Sequence, residues 1–461
     1  MTLIKSISGI RGTIGGKPSD NLTPIDIVRF AAAYGQYILS HTDALKCSIV
    51  IGRDARISGA MVQALVSNTL VGMGIDVIDL AMATTPTVEM VVPRANAQGG
   101  IILTASHNPK QWNALKLLDA NGEFLSAEAG AQILALAEQE DFNFASVDDL
   151  GSVTADDTSL DMHIQAVLNH PLVNLESIRS SGFKVVVDGV NSIGGIAIPA
   201  LLKELNIEVI ELFCEPNGQF PHNPEPLKEH LGDLSALVIE SGADLGLVVD
   251  PDVDRLAFMD ENGAMFGEEY TLVACADYVL SKTPGNTVSN MSSTRALRDV
   301  TEKHGGTYYS SAVGEVNVVT KMKAVNAVIG GEGNGGIIDP QLHYGRDSLV
   351  GTALFLSLLS DRKLSVSELK KTYPEYFMSK GKIELKPTMD VDALLLAIEK
   401  KYANNKPNTV DGVKIDFEAS WVHLRKSNTE PIIRVYTEAP SQEAADLLMN
   451  RFKEELLALG N

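Results

Sequence analysis

Three stretches of the chain repeat one pattern: a continuous apolar run, a polar turn, then apolar residues at helical spacing. They are residues 47–54 (CSIVIGRD) before 58–71, residues 183–188 (FKVVVD) before 193–205, and residues 287–291 before 294–304. Runs of Val and Ile without alternation read as strands buried on both faces, as in a parallel sheet. Further strands are expected at 75–80, 100–104, 208–213, 245–250 and 325–329. Strand and helix in alternation predict βαβ units, and the threefold recurrence predicts a repeated α/β domain.

Beyond residue 381 the pattern changes. Val413, Ile415 and Phe417 alternate as a half-buried strand, with two more strands expected at 421–424 and 432–436. Ala445, Leu448, Phe452, Leu456 and Leu459 then form one apolar helical stripe, with Ser441 and Gly460 as start and stop signals. This is a small α+β domain. Breaks are expected in the Asp-, Ser- and Thr-rich stretch 139–160, at the turn 260–263 (DENG), and between Leu364 and Gly381. At roughly 150 residues per domain, a chain of 461 residues accommodates the division 1–150, 151–258, 259–370 and 371–461. The fold class is therefore α/β: three similar domains with mixed or parallel sheets, then an α+β domain.

Hydrophobic residues at 45% and charged residues at 21% give an ordinary globular balance, which excludes extensive disorder. With 38 Lys and Arg against 59 Asp and Glu, the formal net charge is −21. Such a field repels nucleic-acid backbones and anionic membranes, so neither is an expected partner. An anionic ligand would need basic residues gathered locally. Three widely spaced cysteines without a CxxC pattern read as free thiols of a reducing compartment, not a disulfide frame or zinc site. No apolar run approaches the ~18 residues of a membrane helix, and no signal peptide is evident, so a cytoplasmic protein is expected.

Chemistry gathers in four loops. Segment 99–109, GGIILTASHNP, runs an apolar strand into a turn that Pro109 keeps from becoming helix. Ser106 and His107 fall at the carboxyl end of that strand, where functional residues of open α/β sheets sit. A simple capping turn fits those residues equally well. Segment 245–258, LGLVVDPDVDRLAF, sets Asp250, Asp252 and Asp254 at alternate positions between apolar strands. Carboxylates this close repel unless a cation neutralises them, and hard oxygen ligands suit Mg²⁺ or Ca²⁺. An EF-hand loop also begins DxDxD, but Arg255 stands where that loop needs glycine, and strands replace both helices. Arg255 beside a metal cluster points instead to a shared anion, most simply phosphate.

Segment 425–434, RKSNTEPIIR, offers Arg425, Ser427, Asn428 and Thr429, a set able to wrap a phosphate dianion, although a polar hairpin loop has the same composition. Segment 329–337, IGGEGNGGI, is glycine-rich after a strand but lacks nucleotide-loop spacing, and Glu332 suits the hydroxyls of a polyol such as a sugar. Each loop lies in a different expected domain. The simplest geometry places four domains around a central cleft that binds a sugar phosphate.

Taken in order, and over essentially the whole chain, these loops resemble the α-D-phosphohexomutases, the family of phosphoglucomutase, phosphomannomutase and phosphoglucosamine mutase. The resemblance implies an intramolecular phosphotransferase that interconverts hexose 6-phosphate and hexose 1-phosphate through a phosphoserine and a 1,6-bisphosphate. It implies that Ser106 carries the phosphoryl group and, with Asp250, Asp252 and Asp254, binds one Mg²⁺. Glu332 and Asn334 fall where the family reads sugar hydroxyls; Arg425, Ser427, Asn428 and Thr429 fall where it clamps the substrate phosphate, and Arg434, at the end of the same segment, is expected to bind substrate with them. Lys116, in NALK, matches a lysine proposed for acid/base work, and Arg11 and Arg53 match basic residues near the phosphoserine. Arg255 completes the catalytic set as a charge neutraliser and His107 as an orienter of the serine loop. The family's cofactors would be Mg²⁺ and a hexose 1,6-bisphosphate activator, and the assembly a monomer or homodimer.

Two departures stand out. Many members end the sugar loop in Ser-Gly-His where this chain has Asn334, Gly335 and Gly336, and a Val-Gly-His segment here reads Val313, Gly314 and Glu315. The acid/base group is therefore Lys116 or another residue. The GEGNGG form resembles archaeal-type phosphoglucosamine mutases, which favours glucosamine 6-phosphate to glucosamine 1-phosphate, with phosphoglucomutase/phosphomannomutase activity as the alternative.

A dianionic phosphate needs charge neutralisation more than covalent help. The basic set Arg11, Arg53, Lys116, Arg255, Arg425 and Arg434 is expected to line the cleft while acids cover the exterior. Two rivals, a sugar-phosphate phosphatase and a non-catalytic sugar-phosphate sensor, rank lower, because binding alone does not require a serine beside three aspartates. His343, Trp112 and Trp421 are expected to be structural.

Overall fold

The structure is a computed structural model that describes residues 2–6, 9–42, 44, 46–385, 389–427 and 432–459. Its strands form four sheets. The Val/Ile runs supply the parallel centres: Ser48–Arg53 pairs in parallel with Asp76–Met82 and Gly99–Leu103, Lys184–Asp188 with Glu208–Leu212 and Leu245–Val249, and Asn286–Asn290 with Tyr308–Ser311 and Ala327–Glu332. Helices Gly59–Gly72, Gly194–Glu204 and Ala296–Lys303 follow the first strand of each set.

The repeat goes further than the sequence pattern predicts. In each of the first three sheets, one outer parallel strand is followed by an antiparallel partner: Gly99–Leu103 by Trp112–Leu118, Leu245–Val249 by Leu256–Asp260, and Ala327–Glu332 by Gly336–Ile338. The serine, aspartate and glycine-rich loops are these three connections. They occupy one topological position in three copies. The fourth sheet is wholly antiparallel, in the order Phe377–Glu384, Ile432–Ala439, Trp421–Lys426, Val413–Asp416. Its loop after Lys426 is again a connection between antiparallel neighbours.

Strand Phe377–Glu384 lies in the basic and aromatic stretch that reads as a boundary; it is the outer strand of the fourth sheet. Strand Val153–Ala155 extends the first sheet past residue 150. The DENG turn closes against Ala264 but does not interrupt packing, for one apolar core runs from Ile164 to Tyr373. Phe258 stacks on Phe355 within it, with ring centroids 3.7 Å apart. The first and fourth domains have cores of their own. Helix Gln442–Leu459 starts with Ser441 Oγ accepting the Ala444 N–H and buries Ala445, Phe452 and Leu456, whereas Leu459 is exposed. Gly460 lies outside the described residues. No described helix is long and apolar enough to cross a membrane, and all three cysteines are free.

Candidate active site

Strand Gly99–Leu103 delivers Ser106 in a left-handed conformation, with φ of +48°. Such backbone costs a non-glycine residue about 1–2 kcal/mol and persists only where the surroundings fix it. What fixes it is buried Arg56. Its guanidinium donates to the carbonyls of Pro109 (2.8 Å), Trp112 (2.9 Å), Asn108 (2.7 Å) and Ser106, and to Asp54 Oδ2 at 3.0 Å. The Ser106 N–H donates to Thr104 Oγ1 at 2.9 Å. Arg53 turns elsewhere, donating to Gln63 and to the Asp54 carbonyl. The side chain that holds the serine loop is thus Arg56, three residues beyond Arg53. Arg56 lies in the same segment but shows no periodic signal in the sequence.

The outcome for the aspartates is direct. Ser106 Oγ donates to Asp250 Oδ2 at 2.7 Å, across the boundary between the first and second domains. Asp250, Asp252 and Asp254 are fully buried, and one oxygen from each falls in a group within 4.8 Å. Asp252 Oδ2 is occupied by Lys116 Nζ at 2.7 Å and by Thr85 Oγ1 at 2.6 Å. Asp252 Oδ1 and Asp254 Oδ1 are buried without a hydrogen-bond partner. Orphaned carboxylate oxygens beside a hydroxyl are hard donors awaiting a cation, so the residues fit Mg²⁺. Without a cation, burial and the neighbouring carboxylates hold Asp250 well above its ordinary pKa. Burial disfavours the Lys116 ammonium, but Asp252 and Asp254 outweigh it and raise its pKa. His107 Nδ1 lies 3.4 Å from Ser106 Oγ; burial and then Arg255 push its pKa down to about 2, so it is neutral.

Arg346, which the sequence reading overlooks, is the hub. It directly precedes Asp347, whose Oδ1 caps helix Ser348–Arg362. From there its guanidinium reaches Asp254 Oδ2 (2.7 Å), Glu332 Oε2 (2.8 Å) and Glu315 Oε2 (2.9 Å). Glu332 Oε1 also accepts from Asn290 Nδ2 and the Gly314 N–H, so three of a carboxylate's roughly four lone-pair positions are taken. A Cβ on Gly336 would lie 2.3 Å from Arg346 Cδ. The two departures meet at one side chain: Arg346 fills the space a Cβ at 336 would need, and Glu315 pairs with its guanidinium. Asn334 Oδ1 accepts the Gly336 N–H at 3.2 Å and so shapes the loop. Glu89 is a further unforeseen group. Its carboxyl is buried with neither oxygen hydrogen-bonded, and burial, then Glu315 and Asp254, raise its pKa well above the usual range.

The other basic side chains of the expected set have these surroundings. Arg255 Nε lies 3.9–4.0 Å from Asp254 and Asp250, at ion-pair range but without a hydrogen bond. Arg11 Nε is buried without a partner, and burial, with Arg434 nearby, lowers its pKa. Guanidiniums from the first and last domains thus lie close enough to repel, an arrangement that an anion bound by both would stabilise. Arg425 Nε pairs with Asp411 at 2.8–3.0 Å, and the Ser427 N–H closes its loop onto the Ile432 carbonyl. Asn428 and Thr429 lie outside the described residues. His343 sits between Glu89 and Asp347 at the start of helix Ser348–Arg362, and buried Trp421 donates to Glu438 at 2.7 Å.

Comparison with known proteins agrees across the whole length. The chain matches alpha/beta/alpha domains I, II and III of phosphoglucomutase/phosphomannomutase over residues 3–144, 161–263 and 259–376, and the C-terminal domain over 384–455. It is 35% identical to a phosphoglucomutase/phosphomannomutase of Thermococcus kodakarensis, covering 94% of this chain and 95% of that one. It is 30% identical to a phosphoglucosamine/phosphogalactosamine mutase of Sulfurisphaera tokodaii, covering 97% of each. A crystal structure of a phosphoglucomutase/phosphomannomutase family protein from Burkholderia thailandensis shares the fold, with a TM-score of 0.85 at 24% identity over 99% of this chain and 98% of that one. The chain belongs to the phosphoglucomutase/phosphomannomutase family, the α-D-phosphohexomutases, which are intramolecular phosphotransferases.

Proposed function

We propose that the protein interconverts a hexose 6-phosphate and its 1-phosphate by way of phospho-Ser106, with glucosamine phosphate as the preferred substrate. The observation that carries this reading is the 2.7 Å contact of Ser106 Oγ with Asp250, beside two orphaned aspartate oxygens. Asp250, Asp252, Asp254 and the Ser106 oxygen would hold Mg²⁺, which when bound neutralises charge on the phosphoryl group. In the transfer, a sugar hydroxyl oxygen forms the new P–O bond and gives up its proton as the Ser106 Oγ–P bond breaks and Oγ takes up a proton from Lys116, which the hydroxyl proton replenishes, giving a 1,6-bisphosphate. The reverse step at the other end restores phospho-Ser106. A hexose 1,6-bisphosphate would accordingly serve as activator. Lys116, ion-paired with Asp252, supplies positive charge and a proton beside the serine. Arg255 stabilises the same phosphoryl oxygens, and neutral His107 orients the loop. Arg11, Arg425, Ser427 and Arg434 receive the distal phosphate, with Asn428 and Thr429 of the same sequence motif as further ligands, while Glu332 and Asn334 shape the sugar side.

The test is coupled activity on the 1- and 6-phosphates of glucosamine, glucose and mannose, alongside Ser106→Ala. Turnover that needs Ser106 and is fastest on glucosamine is expected. Equal rates for the variant and its parent would overturn the role of Ser106. A glucose or mannose preference would replace the substrate and leave the transfer chemistry standing. Steady phosphate release without isomerisation would make the protein a phosphatase.

A further inference from the structure

The connection between helix Val391–Lys401 and strand Val413–Asp416 presses onto strand Trp421–Lys426 so closely that only glycine fits at its end. Gly412 has φ of +72°, and a Cβ there would lie 2.2 Å from the Leu424 carbonyl oxygen. That approach sets Asp411 beside Arg425, and both Asp411 oxygens meet Arg425 Nε, at 3.0 and 2.8 Å. Asp411 Oδ2 also accepts the Val313 N–H at 3.0 Å, from the third domain. The next residue, Gly314, donates its N–H to Glu332 at 3.1 Å, and Glu315 after it pairs with Arg346. The Asp411 carbonyl is held in turn by His423 Nε2 at 2.6 Å, whose Nδ1 lies 2.9 Å from Ser292 Oγ of the third domain.

We infer that Asp411 is a positioning residue: it aims the guanidinium of Arg425 at the substrate phosphate and ties it to the Val313–Glu315 segment that anchors Glu332. By holding Nε, the carboxylate fixes the plane of a side chain that otherwise has several rotatable bonds, so binding orders less of it. Through Val313 the phosphate reader of the fourth domain and the carboxylate of the third move together. A phosphate is then presented to the cleft at a set distance from the sugar. This rests on the reading that Arg425 meets the substrate's phosphate.

The experiment measures kcat and KM of Asp411→Asn, Asp411→Glu, Arg425→Ala and the Asp411→Asn/Arg425→Ala double variant, on the hexose phosphate the parent turns over fastest. Each variant's thermal midpoint is recorded with it. Loss of one well-formed charged contact predicts a KM about tenfold higher for D411N, with kcat changed far less and the midpoint nearly unmoved. D411E should recover part of the loss, and the double variant should be no worse than R425A, because Asp411 acts through Arg425. D411N with parental KM while R425A is impaired would overturn the proposal alone. An R425A variant with parental KM would overturn the reading of Arg425 and the proposal with it. Additive losses in the double variant would also overturn it, assigning Asp411 an effect independent of Arg425.

Discussion

Arg346 Nη2 donates to Asp254 Oδ2 at 2.7 Å, which joins the third domain to the aspartate loop of the second. The same guanidinium compensates Glu315 and Glu332, both buried. Removing it takes the paired cation from Glu315 and Glu332 and one of several from Asp254, which keeps Lys116 at 3.4 Å, and breaking a buried pair from one side costs about 3–5 kcal/mol. Arg346→Gln should therefore lower the urea midpoint sharply and abolish turnover, while Glu315→Gln, which removes one charge and keeps an acceptor, should do much less. Gly336→Ala should also destabilise, since its Cβ would meet Arg346 Cδ at 2.3 Å. If Arg346→Gln unfolds at the parental midpoint, the hub is not a hub.

Arg56 and Ser106 make the second prediction. Five bonds leave that guanidinium in a planar fork, four of them to carbonyls of the serine loop and its exit. Lysine offers three donors from a point and cannot span them. Arg56→Lys should cost about 2–4 kcal/mol of stability, by the value of hydrogen bonds to charged groups. More tellingly, amide exchange across residues 105–109 should quicken and kcat should fall with KM less affected. Unchanged exchange in that loop would show that something else holds Ser106 in its left-handed turn.

The four loops were legible because their chemistry is compressed into short segments: DPDVDR needs no fold to be read. The strands were legible because buried Val and Ile runs leave no other reading. Arg56 and Arg346 were not, since an isolated arginine in GRDAR or YGRD looks like a solvated charge until folding buries it. Strand Phe377–Glu384 hid for a related reason: FMSKGKIE alternates poorly, and its pairing with Ile432–Ala439 crosses some fifty residues. Leu459 misled in the opposite sense, extending an apolar stripe that ends in solvent.

Glu269 supplies a pH dependence outside the aspartate cluster. It accepts the Thr294 N–H at 2.9 Å, and burial raises its pKa to about 8 against the pull of Lys380, with Glu268 and Glu438 adding to the rise. Between an unfolded value near 4.5 and that folded value, the native state keeps a proton the unfolded chain has lost. Folding then takes up a proton, so this group's contribution is complete below the unfolded pKa and is lost as pH rises through the folded one. Thermal midpoints recorded from pH 4.5 to 8.5 should decline, and Glu269→Gln should flatten that decline. A variant whose curve parallels the parent's would remove Glu269 as its source.

Metal binding has a readout independent of catalysis. The orphaned oxygens of Asp252 and Asp254 are buried in the folded protein and scattered in the unfolded chain, so Mg²⁺ should bind the native state selectively. At a concentration a hundredfold above its dissociation constant, such a ligand adds about 2.7 kcal/mol. Apo protein titrated with MgCl₂ alone, without sugar, should show a saturable rise in thermal midpoint of several degrees. Asp254→Asn keeps the volume and removes one charge and one anionic donor, so its rise should shrink and need more metal. Ser106→Ala should bind more weakly too, though less so, because a hydroxyl is a poorer ligand than a carboxylate. A parental response in Asp254→Asn would place the cation elsewhere and take the electrostatic basis of phosphoryl transfer at Ser106 with it.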